Sequence, residues 1–190
     1  MNIWWIRHGP THAKTMIGWT DLPADLSDTA QLARLAAYLP TDAPILSSDL
    51  HRARATADAI GDGRRRLPHR PGLREIHFGA WENLNAAQVE AMDADLSRAF
   101  WSTPGPHAPP GGESWDALRA RVADDVAHLG TLGHTDLIVV AHFGVILSQI
   151  QQALGLSAAE AMGHHVDCLS VTRIRYAPGP CTALEINHHP

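Results

Sequence analysis

Two arginines and two histidines are spaced along this chain so that buried strands would deliver them to one edge of a sheet. Arg7-His8-Gly9 follows the apolar run Ile3-Trp4-Trp5-Ile6. Arg52 follows Ile45-Leu46-Ser47-Ser48, and His142 follows the run Asp136 to Ala141. Ligand sites of open α/β sheets gather beyond the carboxyl ends of the strands. Arginine supplies planar, bidentate donors there, and the N-termini of following helices add backbone N–H groups. That composition suits a phosphate. A hydrogen-bonded core histidine or a surface ion pair accounts for any one of these residues, but poorly for all of them at strand ends.

The elements that must position them follow from periodicity and punctuation. Ser27 offers an N-cap for a helix over Asp28 to Leu39, stopped by Pro40. Ile45 to Ser48 is a short strand that runs into a helix from Asp49 to Ile60, ended by Gly61-Asp62-Gly63. A strand is expected near Leu67 to Arg70, a helix over Ala86 to Phe100, and a loop over Thr103 to Gly112. Ser114 caps a long helix to about Leu129, Asp136 to Ala141 is a buried strand, and Gly144 to Leu154 is helical. Strands near Leu169 to Tyr176 and Thr182 to Asn187 close the chain. This alternation predicts an α/β three-layer sandwich, a mostly parallel central sheet with helices on both faces. All 190 residues form one domain in this reading, with residues 76–112 as an irregular, cap-like segment over the site.

Composition narrows the function classes. Hydrophobic residues make up 45% and charged residues 18%, enough apolar material for a core, which excludes global disorder. The net charge of −5 disfavours nucleic acid and anionic membranes as partners. The two cysteines, Cys168 and Cys181, read as structural thiols in strands and cannot supply a disulfide framework or a cysteine-based zinc site. Met1 leads straight into an apolar strand without the pattern of a signal peptide, and no run is long enough to span a membrane, so a cytoplasmic protein is expected. The pairs His164-His165 and His188-His189 lack the company and spacing of metal ligands, and no metal is expected. The triplet Arg64-Arg65-Arg66 reads as a solvated face. Trp81, Phe100, Trp101 and Trp115 lie in or beside the irregular segment; most read as core, and one or two as facing an apolar or planar part of a ligand.

The chain resembles the histidine phosphatase superfamily, also called phosphoglycerate mutase-like. The Arg-His-Gly signature is present as Arg7-His8-Gly9, and Gly18-Trp19-Thr20-Asp21 is similar to the segment that follows it. Ser47 to Ala57 matches the family's Ser-Ser-x-Leu-x-Arg-Ala-x-x-Thr-Ala block, and Leu73 to Glu82 its Leu-x-Glu-x-x-Phe-Gly-x-Trp-Glu block. Pro110 to Ser114 opens a helix as in bacterial phosphatase members, and His142 stands where the second catalytic histidine belongs. The Trp-Glu and Pro-Gly-Gly-Glu-Ser blocks are similar to the alpha-ribazole phosphatase branch.

The resemblance implies a metal-independent phosphomonoesterase, without cofactor, that hydrolyses a small phosphorylated metabolite through a phosphohistidine. His8 would be the nucleophile, since imidazole is nucleophilic when neutral. Arg7, Arg52 and His142 would hold the phosphoryl oxygens, with Thr11 and Lys14 as further phosphate contacts. Glu75 would be the general acid, which asks for a raised pKa, and Glu82 is the alternative acid. A phosphoglycerate mutase-type phosphotransferase and a non-catalytic phosphometabolite-binding pseudoenzyme are the competing readings. The expected partner is the small phosphorylated substrate, with no nucleic acid and no membrane, and a homodimer left open. Three departures stand out. Lys14 replaces a frequent Asn, Phe143 stands where a small residue usually follows the second histidine, and Asn83 replaces the Gly after Trp-Glu.

Overall fold

The computed structural model describes residues 1–176 and 179–190. Its centre is a five-stranded sheet built from β1 (Asn2–Arg7), β2 (Ile45–Ser47), β3 (Asp136–Ala141), β4 (Val171–Arg175) and β5 (Thr182–His188), in the order β2-β3-β1-β4-β5. β3 pairs in parallel with both β1 and β2, whereas β4 runs antiparallel to β1 and β5 antiparallel to β4. The sheet is therefore mixed, with its parallel half on the side that carries Arg7, Arg52 and His142.

Alternation along the central strands sorts the core into two layers. Ile3, Trp5, Leu137, Val139 and Ala141 face the helices α5 (Trp115–Gly130) and α6 (Phe143–Leu154), burying Leu118, Val122, Val145 and Ile150 against them. Trp4, Ile6, Ile138 and Val140 face the other way, onto Leu32 and Leu35 of α1 (Thr29–Tyr38) and Ala53 and Ala57 of α2 (His51–Ala59). A strand buried on both faces must be apolar throughout, which is why β1 and β3 read as unbroken apolar runs. The register sets Arg7 opposite Ala141 and Ser47 opposite Val140, so β1, β2 and β3 end level with one another.

Several local expectations are corrected. Asp28, not Ser27, caps α1, accepting from the Gln31 amide at 2.9 Å. The helix expected over Ala86 to Phe100 is two, α3 (Ala86–Met92) and α4 (Ala94–Ser102), because extended Asp93 ends the first and caps the second through the Leu96 amide. No strand forms at Leu67 to Arg70; only Arg66 bridges Ile45, since Pro68 and Pro71 lack the N–H a ladder needs. Cys168 lies in a turn before β4 and Cys181 just before β5, both half-buried and unbridged. A short helix, α7 (Ala158–Met162), capped by Ser157 and Glu160, follows α6 and was not expected.

Candidate active site

His8 stands one residue beyond β1, with its amide bonded to the Ala141 carbonyl at 3.1 Å. Its side chain is buried, and Nδ1 lies 2.7 Å from the Gly9 carbonyl. A carbonyl only accepts, so Nδ1 carries the proton and the lone pair sits on Nε2. The Arg52 Nε–H donates to that lone pair at 3.2 Å. Burial, helped by the Arg52 and Arg7 charges, pushes the His8 pKa down to about 3, with the Gly9 hydrogen bond opposing. The ring is a neutral imidazole at neutral pH. Thr56 braces this turn, its hydroxyl accepting from the Gly9 amide at 3.0 Å and donating to the Arg52 carbonyl at 2.7 Å.

Arg52 is almost wholly buried on the first turn of α2 and is clamped from the loop after His8. Nη1 donates to the Thr20 carbonyl at 2.9 Å and Nη2 to the Gly18 carbonyl at 2.6 Å. Arg7 donates through Nη1 to the Val166 carbonyl at 2.6 Å, and its buried Nε has no partner among the described residues. His142 is fully buried at the N-cap of α6, its ring centroid 5.1 Å from that of His8, and neither ring nitrogen has a partner among the described residues. Burial and the Arg52 charge hold its pKa well below the ordinary imidazole value. Unpaired buried polar atoms are costly and rare, so three of them converging on the strand ends mark a place built for a polar ligand.

The two candidate acids differ sharply. Glu75 is buried against the start of α6, accepting from the Gly144 amide at 3.0 and 3.2 Å and from its neighbour Ile76 at 2.9 Å. Burial raises its pKa and outweighs those two amides and the charges of Arg52 and Arg7. The approach requires glycine, since a Cβ on Gly144 would lie 2.5 Å from Glu75 Oε1. Glu82 is the opposite case. Burial alone would raise its pKa, but the Thr20 hydroxyl at 2.6 Å and the amides of Gly18, Trp19, Thr20 and Phe78, at 2.8 to 3.1 Å, together take it below the usual value. Glu82 is an ionised staple that fixes the loop whose carbonyls clamp Arg52. Asn83 beside it adopts φ +64° and donates to the Thr20 hydroxyl at 3.1 Å, so asparagine serves where a glycine is usual.

The structure thus brings His8, Arg7, Arg52, His142 and Glu75 together. Thr11 is half-buried and Lys14 exposed in the same loop; neither side chain makes a hydrogen bond or ion pair with that group. One contributor was not found in the sequence. Arg121 of α5 pairs with Glu113 at 2.6 and 2.8 Å and donates to the carbonyls of Gly72, Arg74 and Glu75, holding the segment that carries Glu75. Apart from Glu113, its partners are backbone carbonyls, which leave no signature in residue types. Beside Glu75 opens an apolar cavity of about 240 Å³.

The model of the histidine phosphatase superfamily, branch 1, matches residues 3–189. The chain belongs to the histidine phosphatase superfamily. It is 32% identical over 176 residues to the adenosylcobalamin/alpha-ribazole phosphatase of Salmonella typhi, covering 88% of this chain and 86% of that one. It is 35% identical over 170 residues to the glucosyl-3-phosphoglycerate phosphatase of Mycobacterium tuberculosis, covering 81% and 75%. The solved alpha-ribazole phosphatase of Shigella flexneri superposes with a TM-score of 0.87 at 26% identity, over 100% of this chain and 97% of that one. The fold is thus phosphoglycerate mutase-like, and this histidine phosphatase is a phosphoric monoester hydrolase by class.

Proposed function

We propose that this histidine phosphatase hydrolyses a small phosphorylated metabolite through a covalent phosphohistidine on His8, without a metal. The observation that carries the reading is the fixed tautomer of His8: Nδ1 is occupied by the Gly9 carbonyl, and the Nε2 lone pair points into the cluster toward Arg52. A neutral, oriented imidazole among cationic donors is the arrangement a phosphoryl acceptor needs.

In the first step His8 Nε2 bonds to phosphorus while the bond from phosphorus to the leaving oxygen breaks. The Glu75 carboxyl, whose protonated form burial favours, gives its proton to that oxygen. Arg52, Arg7 and the unpartnered ring of His142 hold the equatorial oxygens, with Thr11 and Lys14 at the mouth of the site. As the His8 lone pair turns to phosphorus, the Arg52 Nε–H that marked it is released to a phosphoryl oxygen. In the second step the Glu75 carboxylate takes a proton from water, the water oxygen bonds to phosphorus, and the P–N bond breaks. Neutral His8 and protonated Glu75 return together. In this reading Glu82 fixes the loop and moves no proton.

The relatives act on phosphorylated compounds as their names state, and we take the substrate here to be of that small-metabolite kind, met in the cytoplasm. A mutase must also grip a carboxylate while the phosphoryl group returns. The stretch from Leu84 to Gly112 contains one arginine, Arg98, and no lysine, and Arg98 pairs with Asp95 at 3.1 Å on the surface, which favours hydrolysis. Incubation with an aryl phosphate in excess chelator, followed by an alkaline quench and peptide mass analysis, tests the mechanism. One phosphoryl mass on the His8 peptide is expected, absent in His8→Ala together with phosphate release. Turnover that needs an added divalent cation, or persists in His8→Ala, overturns it.

A further inference from the structure

The cavity beside Glu75 is walled by Phe78, Trp101, Phe143, Leu147 and Met162, and Glu75 is the one ionisable side chain among its described lining residues. It is the same carboxyl that stands against the His8 cluster, so cavity and cluster share a wall. At about 240 Å³ it has room for about eight waters at roughly 30 Å³ each. Phe143 and Trp101 remain 36% and 45% exposed at its rim, although aromatic rings of this size are normally covered. Phe143 is also one of the residues that depart from the family's pattern, and Arg7 lies over its ring with Cζ 5.2 Å from the centroid. That cation–π contact fixes the ring between the phosphate-binding side and the apolar side.

We infer that Phe143, with Trp101, selects phosphomonoesters whose leaving group is uncharged, apolar and planar, and that this group lies in the aromatic cavity while its oxygen faces Glu75. The inference rests on the phosphatase reading above. A leaving group with a carboxylate would lose its water there and meet no cationic side chain among the described lining residues, and it would repel Glu75 whenever Glu75 is ionised. A flat ring displaces poorly held water and stacks on Phe143 and Trp101, edge or face. The sugar-like or acidic portion of a substrate has no comparable donor set on this wall.

The test compares two primary-alcohol esters of similar leaving-group basicity, 2-(1-naphthyl)ethyl phosphate and glycerol 3-phosphate, so that chemistry is matched and only the pocket discriminates. The wild-type protein is expected to favour the naphthyl ester in kcat/KM by about 100-fold, and Phe143→Ala to cut that preference about tenfold through KM. Trp101→Ala, on a separate helix, does the same, and Phe143→Leu restores part of it. Calorimetric binding of 2-(1-naphthyl)ethanol needs no turnover, so it tests the cavity even if no ester is hydrolysed, a result that would sink the phosphatase reading alone. Equal use of both esters, or alcohol binding unchanged in both alanine variants, overturns the inference. So does a preference that survives in Phe143→Ala while that substitution alters self-association, which would make the aromatic face a contact between copies.

Discussion

Replacing His8 by Asn should flatten the acid limb of the stability curve by an amount that can be worked out. His8 has a folded-state pKa of about 3, against 6.5 when unfolded, chiefly because it is buried. As pH falls through the unfolded value, the unfolded chain takes a proton that the folded site refuses. Stability carried by His8 is therefore full above the unfolded pKa and lost progressively down to the folded one. At about 1.4 kcal/mol per unit, the complete loss is on the order of 5 kcal/mol, and between about pH 8 and about pH 5 it is roughly 2 kcal/mol. Glu75, raised by burial, pulls the other way, and buried His142 pulls the same way; both are present in either protein, so the comparison isolates His8 together with its coupling to the neighbouring His142 ring. Asn keeps an amide N–H for the Gly9 carbonyl and does not titrate. Urea unfolding at about pH 8 and about pH 5 should show the wild-type protein losing about 2 kcal/mol more than His8→Asn over that interval. Parallel losses would mean that His8 is protonated in the folded site, and the neutral-nucleophile reasoning would fail with it.

Two further outcomes bear on the acid. Glu75→Gln should lower turnover at least 100-fold for alkyl phosphates and much less for activated aryl esters, because only a poor leaving oxygen needs the proton. Glu82→Gln should instead slow both classes alike and lower thermal stability, since it loosens the clamp on Arg52; a leaving-group dependence seen in Glu82→Gln and not in Glu75→Gln reverses the assignment. Gly144→Ala should fold yet behave like Glu75→Gln, because its Cβ would come within 2.5 Å of Glu75 Oε1 and displace it from the helix start. Wild-type rates on alkyl esters in that variant would show that the Gly144 contact does not place the acid.

What could be read from the sequence follows a physical division. β1 and β3 were legible because strands buried on both faces admit only apolar residues, and their ends therefore located Arg7, His8 and His142. The direction of β4 and β5 was not, because side-chain alternation is the same in parallel and antiparallel strands. The break at Asp93 was hidden because aspartate is as acceptable on a solvated helix face as at a cap, and its extended backbone leaves no trace in the pattern. For the site, residue types pointed to a phosphate, but not to the choice between Glu75 and Glu82. Both are glutamates in one short block, and they differ only in what surrounds them: apolar burial and a helix start for one, a ring of amides and a hydroxyl for the other. The clamp on Arg52 by the Gly18 and Thr20 carbonyls was equally invisible, being written in backbone geometry.

The cavity walls and the phosphate-side residues come from different stretches of chain and meet only at Glu75 and the first turn of α6. Trp101 lies on α4 and Met162 on α7, neither of which touches His8 or Arg52 through any hydrogen bond. Substitutions on those two helices therefore leave the chemistry intact while reshaping what is presented to it. This separation makes the protein a scaffold in which preference can drift quickly under selection while the reaction stays fixed. Two descendants of one gene could differ in diet long before they differ in mechanism.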